Sequence, residues 1–585
     1  LSGEISYRIS RGLDLSLSGE ASRVNDEIYV AGLDLVSDQS CKNCHGEFAG
    51  GLTSHHYNPF EASNCIACHS AVNPPGGIGM TYLTHGIHNS QNLPGGEIDI
   101  EGQIFKITYP TYMANCSVCH DEPATLAAAN AMPATAEGCF SCHGSIEGFG
   151  FAAGNFHLAL PNDDCLACHV TNGVGSGAGV TVADFHNGLP TGNAGLIWDG
   201  ADVSVTEGEK FAWTIDGVVD DGTNLAISWT ATYNGVSVDP CNATVGVGAP
   251  VFHVPGGGSG GGFSMLRSYA QGDDFIIGMS TSAPGQAEAV NLSATNTTCT
   301  GLVATTIIPV DDVDAEVGRV ALQGKPGVVS PASATALLRV RVPTPTFDWL
   351  LGSDDPAPAR RAVVDTGECL KCHVGSLYQH GGNRVDNVDM CILCHNSASN
   401  EQSVRVGMGV EASEAYDGKV GETFEMKTML HRVHSAGTSS IAGADTSPLY
   451  VIYRNRGIYA WAPDESFLPA TWPGTGSQIV FGSDNVTQNH NFHAPTYPRA
   501  LNDCAACHTE GFAVMPDQTE AMATTEGAGG DDDYANQLDD VLQGAATTAC
   551  ITCHSGGPAK GHAYQNSWVP QEFPEGRQTI IDAVK

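Results

Sequence analysis

Hydrophobic and polar residues alternate in two parts of the chain, a pattern typical of half-buried β-strands. The first part is residues 1–40, which contain ISYRIS, LDLSLSG and EIYVAGLDLV. The second part is residues 191–350, where AISWTATY (226–233) precedes an Asn-Gly turn pair and LLRVRV (337–342) follows later. No helical period persists in this second part. The pattern therefore predicts an all-β domain, a Greek-key-like sandwich or barrel, in the middle of the chain.

Helical patterns are short and lie outside that middle part. EPATLAAANA (122–131) predicts one short helix, because alanine is the strongest helix former. MTYLTHGIH carries His85 and His88, and EMKTMLHRVH carries His431 and His434. Residues three apart share one face of a helix, so each helix is able to present two imidazoles to neighbouring sites. The alternative is that one histidine of each pair only packs.

Composition limits the size of the molecule and the class of its partners. The chain has 585 residues, enough for about three or four domains. With 25 Lys and Arg against 64 Asp and Glu, its net charge of −39 argues against binding to nucleic acid or to an anionic membrane surface. No apolar run reaches the ~18 residues of a membrane span. No charged-then-apolar leader follows Leu1, so we expect a removed signal peptide or a numbering that starts inside a precursor.

The spacing of the cysteines indicates the chemistry. Eighteen of the 20 cysteines fall into nine C-x-x-C-H motifs, the attachment signature of c-type haem. Two thiols one short turn apart bond to one haem, and the histidine that follows binds its iron as the proximal ligand. The predicted thioether cysteines are Cys41, Cys44, Cys65, Cys68, Cys116, Cys119, Cys139, Cys142, Cys165, Cys168, Cys369, Cys372, Cys391, Cys394, Cys504, Cys507, Cys550 and Cys553. The predicted proximal ligands are His45, His69, His120, His143, His169, His373, His395, His508 and His554.

Zinc ribbons and redox-active C-x-x-C pairs are the alternative for any single motif. Neither requires a histidine directly after the second cysteine. Histidine stands there in all nine motifs, although only 22 of the 585 residues are histidine. The two residues between the cysteines also differ from motif to motif, so the motifs are not copies of one linker. We therefore predict nine covalently attached haem c groups and, because this attachment takes place outside the cytoplasm, an exported protein.

Each haem iron also needs a second axial ligand or leaves an open site. Thirteen histidines remain beside the nine proximal ones, and all except His253 lie in the haem-bearing segments. We expect His253 to be structural. The other twelve are the candidate distal ligands, and they suffice for nine bis-His sites: His55, His56, His85, His88, His157, His186, His380, His431, His434, His490, His493 and His562.

Two cysteines, Cys241 and Cys299, lie outside the motifs in the haem-free middle part. A disulfide is the expected state of such a pair in an exported protein. Closing that loop would stabilise the fold by ~4 kcal/mol in the chain-entropy model. Two free thiols are the alternative.

The motif spacing divides the chain into four parts. Residues 1–40 are a β remnant of an N-terminal domain, 41–190 a pentahaem domain, 191–350 the β domain and 351–585 a tetrahaem domain. In both haem domains two close motifs precede a His-x-x-His pair, two further motifs and a lone histidine, which indicates an internal duplication. Short intervals in 41–190 leave little room for a polypeptide core, so we expect haem to form the core there. The predicted fold class is a multihaem cytochrome, mostly irregular with short helices, with two haem domains flanking an all-β domain.

The second haem domain contains ARRAVVDTGECLKCHVGSLYQHGGNR and CILCH, then KTMLHRVHSAG, FHAPTYPRALNDCAACH, NQLDDVLQG and CITCH. The first haem domain contains NPFEASNCIACHSAV and HGIHNSQNLP. These segments resemble the haem domains of the outer-membrane decahaem c-type cytochrome family of the OmcA/MtrC type. The family alternates β and pentahaem domains. Compared with that family, we expect this chain to lack the tenth motif and most of the N-terminal β domain.

The resemblance also implies which histidines correspond in the two haem domains. His186 has no counterpart in this matching, which agrees with a missing tenth haem, and His490 and His493 are extra. The matched positions are His55 or His56 with His380, His85 with His431, His88 with His434, and His157 with His562.

The function that the resemblance implies is extracellular electron transfer. Electrons would pass from an outer-membrane conduit or another multihaem cytochrome to extracellular metal oxides, soluble metals or flavins. The location would be the outer face of the outer membrane or the extracellular space. Whether the chain is itself a terminal metal reductase stays open at this stage. The alternatives are a conducting subunit of a polymeric cytochrome filament and a multihaem nitrogen-compound oxidoreductase, which needs an open iron that is often marked by C-x-x-C-K, a motif that this chain lacks.

Overall fold

The computed structural model describes most of the haem-bearing segments and most of the β domain. The described residues are 5–9, 13–17, 35–46, 65, 69, 79–159, 165–171, 179–192, 195–242, 262–271, 275–278, 285–313, 315–374, 377–379, 382–437, 449–454, 457–481, 486–510, 522–526, 541–554, 558 and 562. The candidate ligands His55, His56 and His380, together with Cys68 and His253, lie outside the described residues.

The chain divides into two compact units. The first consists of Leu1–Thr206, Lys371–Val374 and Pro498–Asp503. The second consists of Glu207–Leu370, Gly375–Tyr497 and Cys504–Lys585. Each unit brings together segments that are far apart in the sequence.

Short helices dominate the described part of the first unit, and four of them end at a histidine. They are α1 (Asp38–His45), α2 (Met80–His88), α3 (Pro123–Ala131), α4 (Ala136–His143), α5 (Val182–His186) and α6 (Val203–Thr206). Side-chain oxygens of Ser37, Thr135 and Thr181 accept the first free backbone N–H groups of α1, α4 and α5. The helix predicted over residues 122–131 is confirmed as α3, which begins at a proline.

The rest of the described first unit consists of small hairpins and single turns. Its strands are β1 (Ile5–Ile9), β2 (Leu13–Leu17), β3 (Ile98–Ile100), β4 (Gln103–Phe105), β5 (Pro190–Thr191), β6 (Gly195–Trp198) and β7 (Ala201–Asp202). Its 3-10 helices are Ser90–Asn92, Cys116–Val118, Ile146–Phe149, Phe156–Ala159 and Cys165–Ala167. Few apolar side chains are buried in the described part of the first unit; they are Leu93, Ile98, Ala134, Ile146, Ile197 and Val203.

The β domain of the second unit contains two five-stranded antiparallel sheets. The strands are β8 (Phe211–Asp220), β9 (Asn224–Tyr233), β10 (Val236–Val238), β11 (Ser264–Gln271), β12 (Phe275–Ile277), β13 (Glu288–Asn291), β14 (Thr297–Thr300), β15 (Val303–Pro309), β16 (Val317–Gln323), β17 (Gly327–Ser330), β18 (Ser333–Arg339) and β19 (Thr346–Leu350). One sheet has the order β10-β9-β15-β14 with β8 beside β9, and the other has β12-β11-β16-β19 with β13 beside β11, while β17 and β18 form a hairpin.

Alternating burial explains why these residues form two packed sheets. Buried and exposed positions alternate along β8 and β15, as the sequence pattern predicted. Trp349 of one sheet is fully buried, and its indole N–H donates to a carboxylate oxygen of Asp220 in the other sheet at 3.0 Å. The predicted Asn-Gly hairpin turn is confirmed between β9 and β10, where Asn234 has φ 51° and Gly235 has φ 72°.

The described part of the second unit adds five helices and several small sheets. The helices are α7 (Thr366–Leu370), α8 (Val388–Cys391), α9 (Gln402–Met408), α10 (Met426–Ser435) and α11 (Ala545–Ile551), with 3-10 helices at Gly208–Lys210, Glu465–Phe467 and Cys504–Ala506. The strands are β20 (Tyr378–Gln379), β21 (Arg384–Val385), β22 (Tyr450–Arg454), β23 (Gly457–Trp461), β24 (Gln478–Phe481), β25 (Val486–His493), β26 (Met522–Glu526) and β27 (Val541–Gly544).

One part of the second haem domain has a polypeptide core of its own. Its strands have the order β22-β23-β25-β24, and the buried cluster includes Met408, Val451 and Ile458. Beside it, the buried guanidinium of Arg405 is paired with the carboxylates of Glu401 and Asp417. The long interval between the seventh and eighth motifs therefore folds around apolar side chains and one buried ionic network.

The seventh motif packs against the second sheet of the β domain. Buried Met390 and Leu393 contact Leu266 and Ala321 of that sheet. The amide nitrogen of Gln286 donates to the carbonyl oxygen of Cys394 at 2.9 Å. This motif is consequently held by protein side chains on one side. Within the described ranges, no helix is both long enough and apolar enough to cross a bilayer.

A half-buried carboxyl group, which accepts one hydrogen bond from the backbone of Leu377, lies between the β domain and the seventh motif. Burial raises the pKa of Asp386 from its ordinary value to about 6, and a nearby Arg341 opposes that rise. Its Oδ1 atom accepts no hydrogen bond from any described residue. Its backbone φ of 47° is in the left-handed region, which asparagine also tolerates.

We expect Asp386→Asn to stabilise the protein above pH 6 and not at pH 4. A pKa raised in the folded state means that folding binds a proton, so the free energy of unfolding falls as pH rises through the window from about 4 to 6. Removing the charge should recover at most about 3 kcal/mol at pH 7.5, to be measured by urea unfolding at both pH values. Asp354→Asn, at an exposed position, is the control. An equal gain at both pH values would contradict the account.

Candidate functional site

One helical turn shapes the C-x-x-C-H motifs. In six of them the backbone N–H of the histidine donates to the carbonyl oxygen of the first cysteine, at 2.8–3.0 Å. These six start at Cys65, Cys116, Cys165, Cys391, Cys504 and Cys550. In the first and fourth motifs the histidine is the last residue of α1 and α4. A turn of this kind places both cysteines and the imidazole beside one another, as attachment of a single haem requires.

Three of the candidate distal histidines take their orientation from the helices that carry them. The Nδ1 atoms of His88, His186 and His434 each lie 2.7–2.8 Å from the carbonyl oxygen four residues earlier. A carbonyl oxygen only accepts, so Nδ1 carries the proton and Nε2 keeps its lone pair. Such hydrogen bonds are the ones that orient imidazole ligands of metals.

Three of the predicted proximal histidines follow the same rule with carbonyl oxygens from other segments, whereas Nδ1 of His45 has no hydrogen-bond partner among the described residues. His120 Nδ1 lies 2.6 Å from the carbonyl oxygen of Leu35, and His395 Nδ1 lies 2.7 Å from that of Phe424. His508 Nδ1 lies 3.1 Å from the carbonyl oxygen of Val363. In each case Nε2 is the nitrogen left for a metal.

Four pairs of imidazoles face each other at nearly one distance. Each pair joins a motif histidine to a candidate distal histidine from another segment. The distances between ring centroids are 6.0 Å for His45 and His88, 6.5 Å for His143 and His186, 6.2 Å for His169 and His157, and 6.1 Å for His508 and His431.

This distance is the one that a shared iron imposes. Metal–imidazole bonds are about 2 Å long, and the ring centre lies about 1.1 Å beyond each nitrogen, so two axial rings are about 6.2 Å apart. The centroid distances of 6.0–6.5 Å agree with that value. The residues present therefore fit haem: cysteines for the thioether bonds and facing imidazoles for the iron.

Electrostatics keep these imidazoles in the form that binds metals. Burial lowers the pKa of His45, His85 and His431 to about 4 in each case. Burial also lowers the pKa of His88 and His434. The rings are therefore neutral at pH 7, and a neutral imidazole is the ligand that iron accepts.

Exposed apolar side chains surround the fifth motif. Phe156 is 66% exposed, and Phe185, Leu158 and Val170 are each more than a third exposed. Phe156 lies against the ring of His157, and Phe185 lies against the ring of His169. A haem macrocycle between those two imidazoles would cover apolar surface that water otherwise contacts.

Two of the extra histidines have other surroundings. Both ring nitrogens of buried His490 are engaged: Nδ1 lies 3.1 Å from the carbonyl oxygen of Ser477, and Nε2 lies 2.9 Å from the hydroxyl of Tyr416. His493 stacks with Tyr459 and Trp461 at the end of β25. Position matching in the sequence did not foresee either environment.

The first and sixth motifs meet inside the first unit. Cys44 Sγ lies 3.5 Å from the carbonyl oxygen of Lys371, and reciprocally Cys372 Sγ lies 3.7 Å from that of Asn43. Arg499 donates from Nη2 to the Asn43 carbonyl at 2.7 Å and from Nε to the Cys44 carbonyl at 3.2 Å. Sequence analysis missed this arginine, because nothing in TYPR indicates where its side chain lies.

The disulfide between Cys241 and Cys299 is present and closes 58 residues of the β domain. It joins the region after β10 to β14. No haem motif lies in that part of the chain.

Comparison with known proteins identifies the family. The model of the outer membrane cytochrome MtrC/MtrF-like family, domains II/IV, matches residues 33–187 and 361–580, which is more than half of the chain. A comparison with curated protein sequences gives no match.

Two solved structures are similar over nearly the whole chain. The outer membrane decaheme cytochrome OmcA matches at a TM-score of 0.52 and 15% identity, covering 99% of this chain and 78% of its own. MtrC from Shewanella baltica OS185 matches at a TM-score of 0.47 and 15% identity, covering 98% and 77%. The likeness to OmcA confirms the predicted fold class. Because the family model matches more than half of the chain, the chain belongs to the MtrC/MtrF-like outer-membrane cytochrome family and is a multihaem c-type cytochrome of extracellular electron transfer, located at the cell surface or outside the cell.

Proposed function

We propose that the chain binds nine haem c groups, each iron held between two imidazoles, and passes electrons to extracellular acceptors. These acceptors are metal oxides, soluble metals, flavins or partner cytochromes. The observation that carries the proposal is the set of four imidazole pairs with centroids 6.0–6.5 Å apart. When bound, haem supplies an iron that takes up and releases one electron. Paired histidines would hold each iron from both sides, which favours electron transfer over catalysis at an open iron.

The geometry supports specific distal ligands. Helix α2 serves two motifs. His88 faces His45 of the first motif. The pKa of His85 is lowered by burial and, to a smaller extent, by charge repulsion from His120 of the third motif, so His85 lies near that histidine. His186 faces His143, and His157 faces His169. His186 is accordingly assigned to the fourth motif, so its lack of a counterpart in the second haem domain is no argument about a missing tenth haem.

The second haem domain repeats this arrangement. His434 lies 5.8 Å from the ring of Tyr497 at 82°, and His88 lies 5.8 Å from the ring of Tyr109 at 85°. His431 faces His508, as a ligand equivalent to His85 would. We assign His490 a structural role, because both of its nitrogens are engaged by protein groups.

The acceptor must approach a strongly acidic protein. A net charge of −39 attracts cationic metals and basic protein surfaces and repels anions at low salt. A polymeric filament is the other assembly considered from the sequence, and it stays a prediction. Electron microscopy of the native secreted protein separates the two, since a terminal reductase gives discrete particles and a conducting subunit gives ordered filaments.

The proposal is tested on the purified holoprotein. Intact mass and haem content should correspond to nine attached groups, and the fully reduced protein should reoxidise on addition of Fe(III) citrate or a flavin. Fewer than nine groups would overturn the count. A protein that is reduced but stays reduced with every such acceptor would overturn the assigned function.

We expect His431→Ala to convert one haem iron from low spin to high spin. Removing His431 leaves the eighth motif with a single imidazole, because His508 is its facing partner. Electron paramagnetic resonance of the oxidised holoprotein measures the change. His490→Ala is the matched control and should leave every iron low spin, because both ring nitrogens of His490 form hydrogen bonds, one with Tyr416 and one with Ser477. High-spin iron in the control but not in His431→Ala would reverse the assignment.

We expect Arg499→Gln to lower the reduction potentials of the haems at the first and sixth motifs. Arg499 is the cation that donates to the carbonyls of Asn43 and Cys44, and a positive charge favours the reduced state. A tenfold change in the reduction equilibrium would be about 59 mV for one electron. Redox titration measures it, with Lys106→Gln at an exposed position as control. Arg499→Lys should restore most of the potential, and unchanged potentials in Arg499→Gln would contradict the assignment.

A further inference from the structure

A continuous stack of rings joins the ligands of the fourth motif to those of the fifth. His143 stacks on Phe149 with centroids 4.0 Å apart and planes 11° apart. Phe149 stacks on Phe151 at 5.5 Å and 5°, and Phe151 stacks on His157 at 4.9 Å and 18°. These four rings lie within 15 consecutive residues. They are nearly parallel, so each ring packs its face against the next.

The local backbone brings this stack about. After α4 the chain turns back on its last residue, and a Cβ atom at Gly148 would lie 1.7 Å from the carbonyl oxygen of His143. Only glycine fits at that distance, and it places Phe149, at the end of a 3-10 helix, beside the His143 ring. The carbonyl oxygen of Gly148 also accepts from His143 Nδ1 at 3.3 Å.

The ring planes of the paired ligands follow the stack. His143 and His186 are 20° from parallel, and His157 and His169 are 16° from parallel. No such stack occurs among the described residues around the first motif, and there the planes of His45 and His88 are 79° apart. The pair of the eighth motif is intermediate at 36°. Near-parallel ligand planes thus occur where phenylalanine faces pack on the ligands.

We propose that Phe149 and Phe151 are positioning residues that hold the axial imidazoles of the fourth and fifth motifs in near-parallel planes. A face-packed ring at 4.0 Å blocks rotation of the imidazole about its Cβ–Cγ bond. Protein groups around an axial ligand tune the iron through that ligand's orientation. The inference rests on the proposed bis-His coordination and adds which residues set its geometry.

The relative angle of two axial imidazoles is visible in electron paramagnetic resonance of low-spin ferric haem. Near-parallel planes give a rhombic signal, and near-perpendicular planes give a strongly anisotropic one. The native holoprotein should therefore show both, with the fourth and fifth motifs contributing to the rhombic signal. The first motif contributes to the anisotropic signal.

The experiment compares Phe149→Leu, Phe151→Leu and the double variant with the native holoprotein. Each loses the packed ring but keeps an apolar side chain, so the rhombic signal should lose intensity equivalent to one haem in a single variant and to two in the double variant. Phe149→Tyr keeps the ring and should keep the native signal. Phe105→Leu, in β4 and outside the stack, is the matched control.

The outcomes separate this inference from the proposed function. If the leucine variants keep every iron low spin and the native rhombic intensity, the positioning role is wrong while the bis-His assignment stands. If the native protein already shows high-spin iron equivalent to one or two haems that His186→Ala and His157→Ala do not increase, the bis-His assignment fails instead. If Phe149→Leu gives no holoprotein, Phe151→Leu decides by the same rhombic signal, because its ring packs on His157 and not on the motif histidine.

Discussion

The proposed chemistry depends on one recurring geometry: two imidazoles from separate segments lie at the distance that a shared iron would require. In the four pairs among the described residues, a C-x-x-C-H motif supplies one ring and a second segment supplies the other at a centroid distance of 6.0–6.5 Å. In the first unit, helices that end at a histidine meet this requirement. The same requirement explains why short helices with capped first turns suffice, since each has only to place a terminal side chain.

Burial and hydrogen bonding favour the neutral form of these rings, which is the form that binds a metal. Desolvation lowers the pKa of His45, His85 and His431, so the lone pair of Nε2 is not lost to a proton at neutral pH. At His88, His186 and His434, carbonyl oxygens select the tautomer by accepting the proton on Nδ1. His490 shows the opposite case, because a buried tyrosine hydroxyl occupies its second nitrogen.

The two haem domains differ in how many apolar side chains they bury against protein. In the described part of the first unit few apolar side chains are buried by other protein groups, and a haem core there stays a prediction. The second haem domain adds an apolar cluster around Tyr453 and a buried Arg405 network within the interval that follows its second motif. Removing one partner of such a buried ion pair lowers the free energy of unfolding by about 3–5 kcal/mol, because the other charge is left buried and unpaired.

Local chemistry explains what could be predicted from the sequence. The Asn-Gly hairpin and the alanine-rich helix follow from backbone preferences over a few residues. The alternation of apolar and polar residues predicted the strands of the β domain for the same reason. The attachment cysteines and proximal histidines stay predictions, which rest on spacing within one turn. Distal partners are different, because they join segments tens to hundreds of residues apart. Only the tertiary structure paired His186 with His143, placed Arg499 beside Cys44 and aligned Phe149 with an imidazole, since spacing along a chain says nothing about which distant side chains pack against each other.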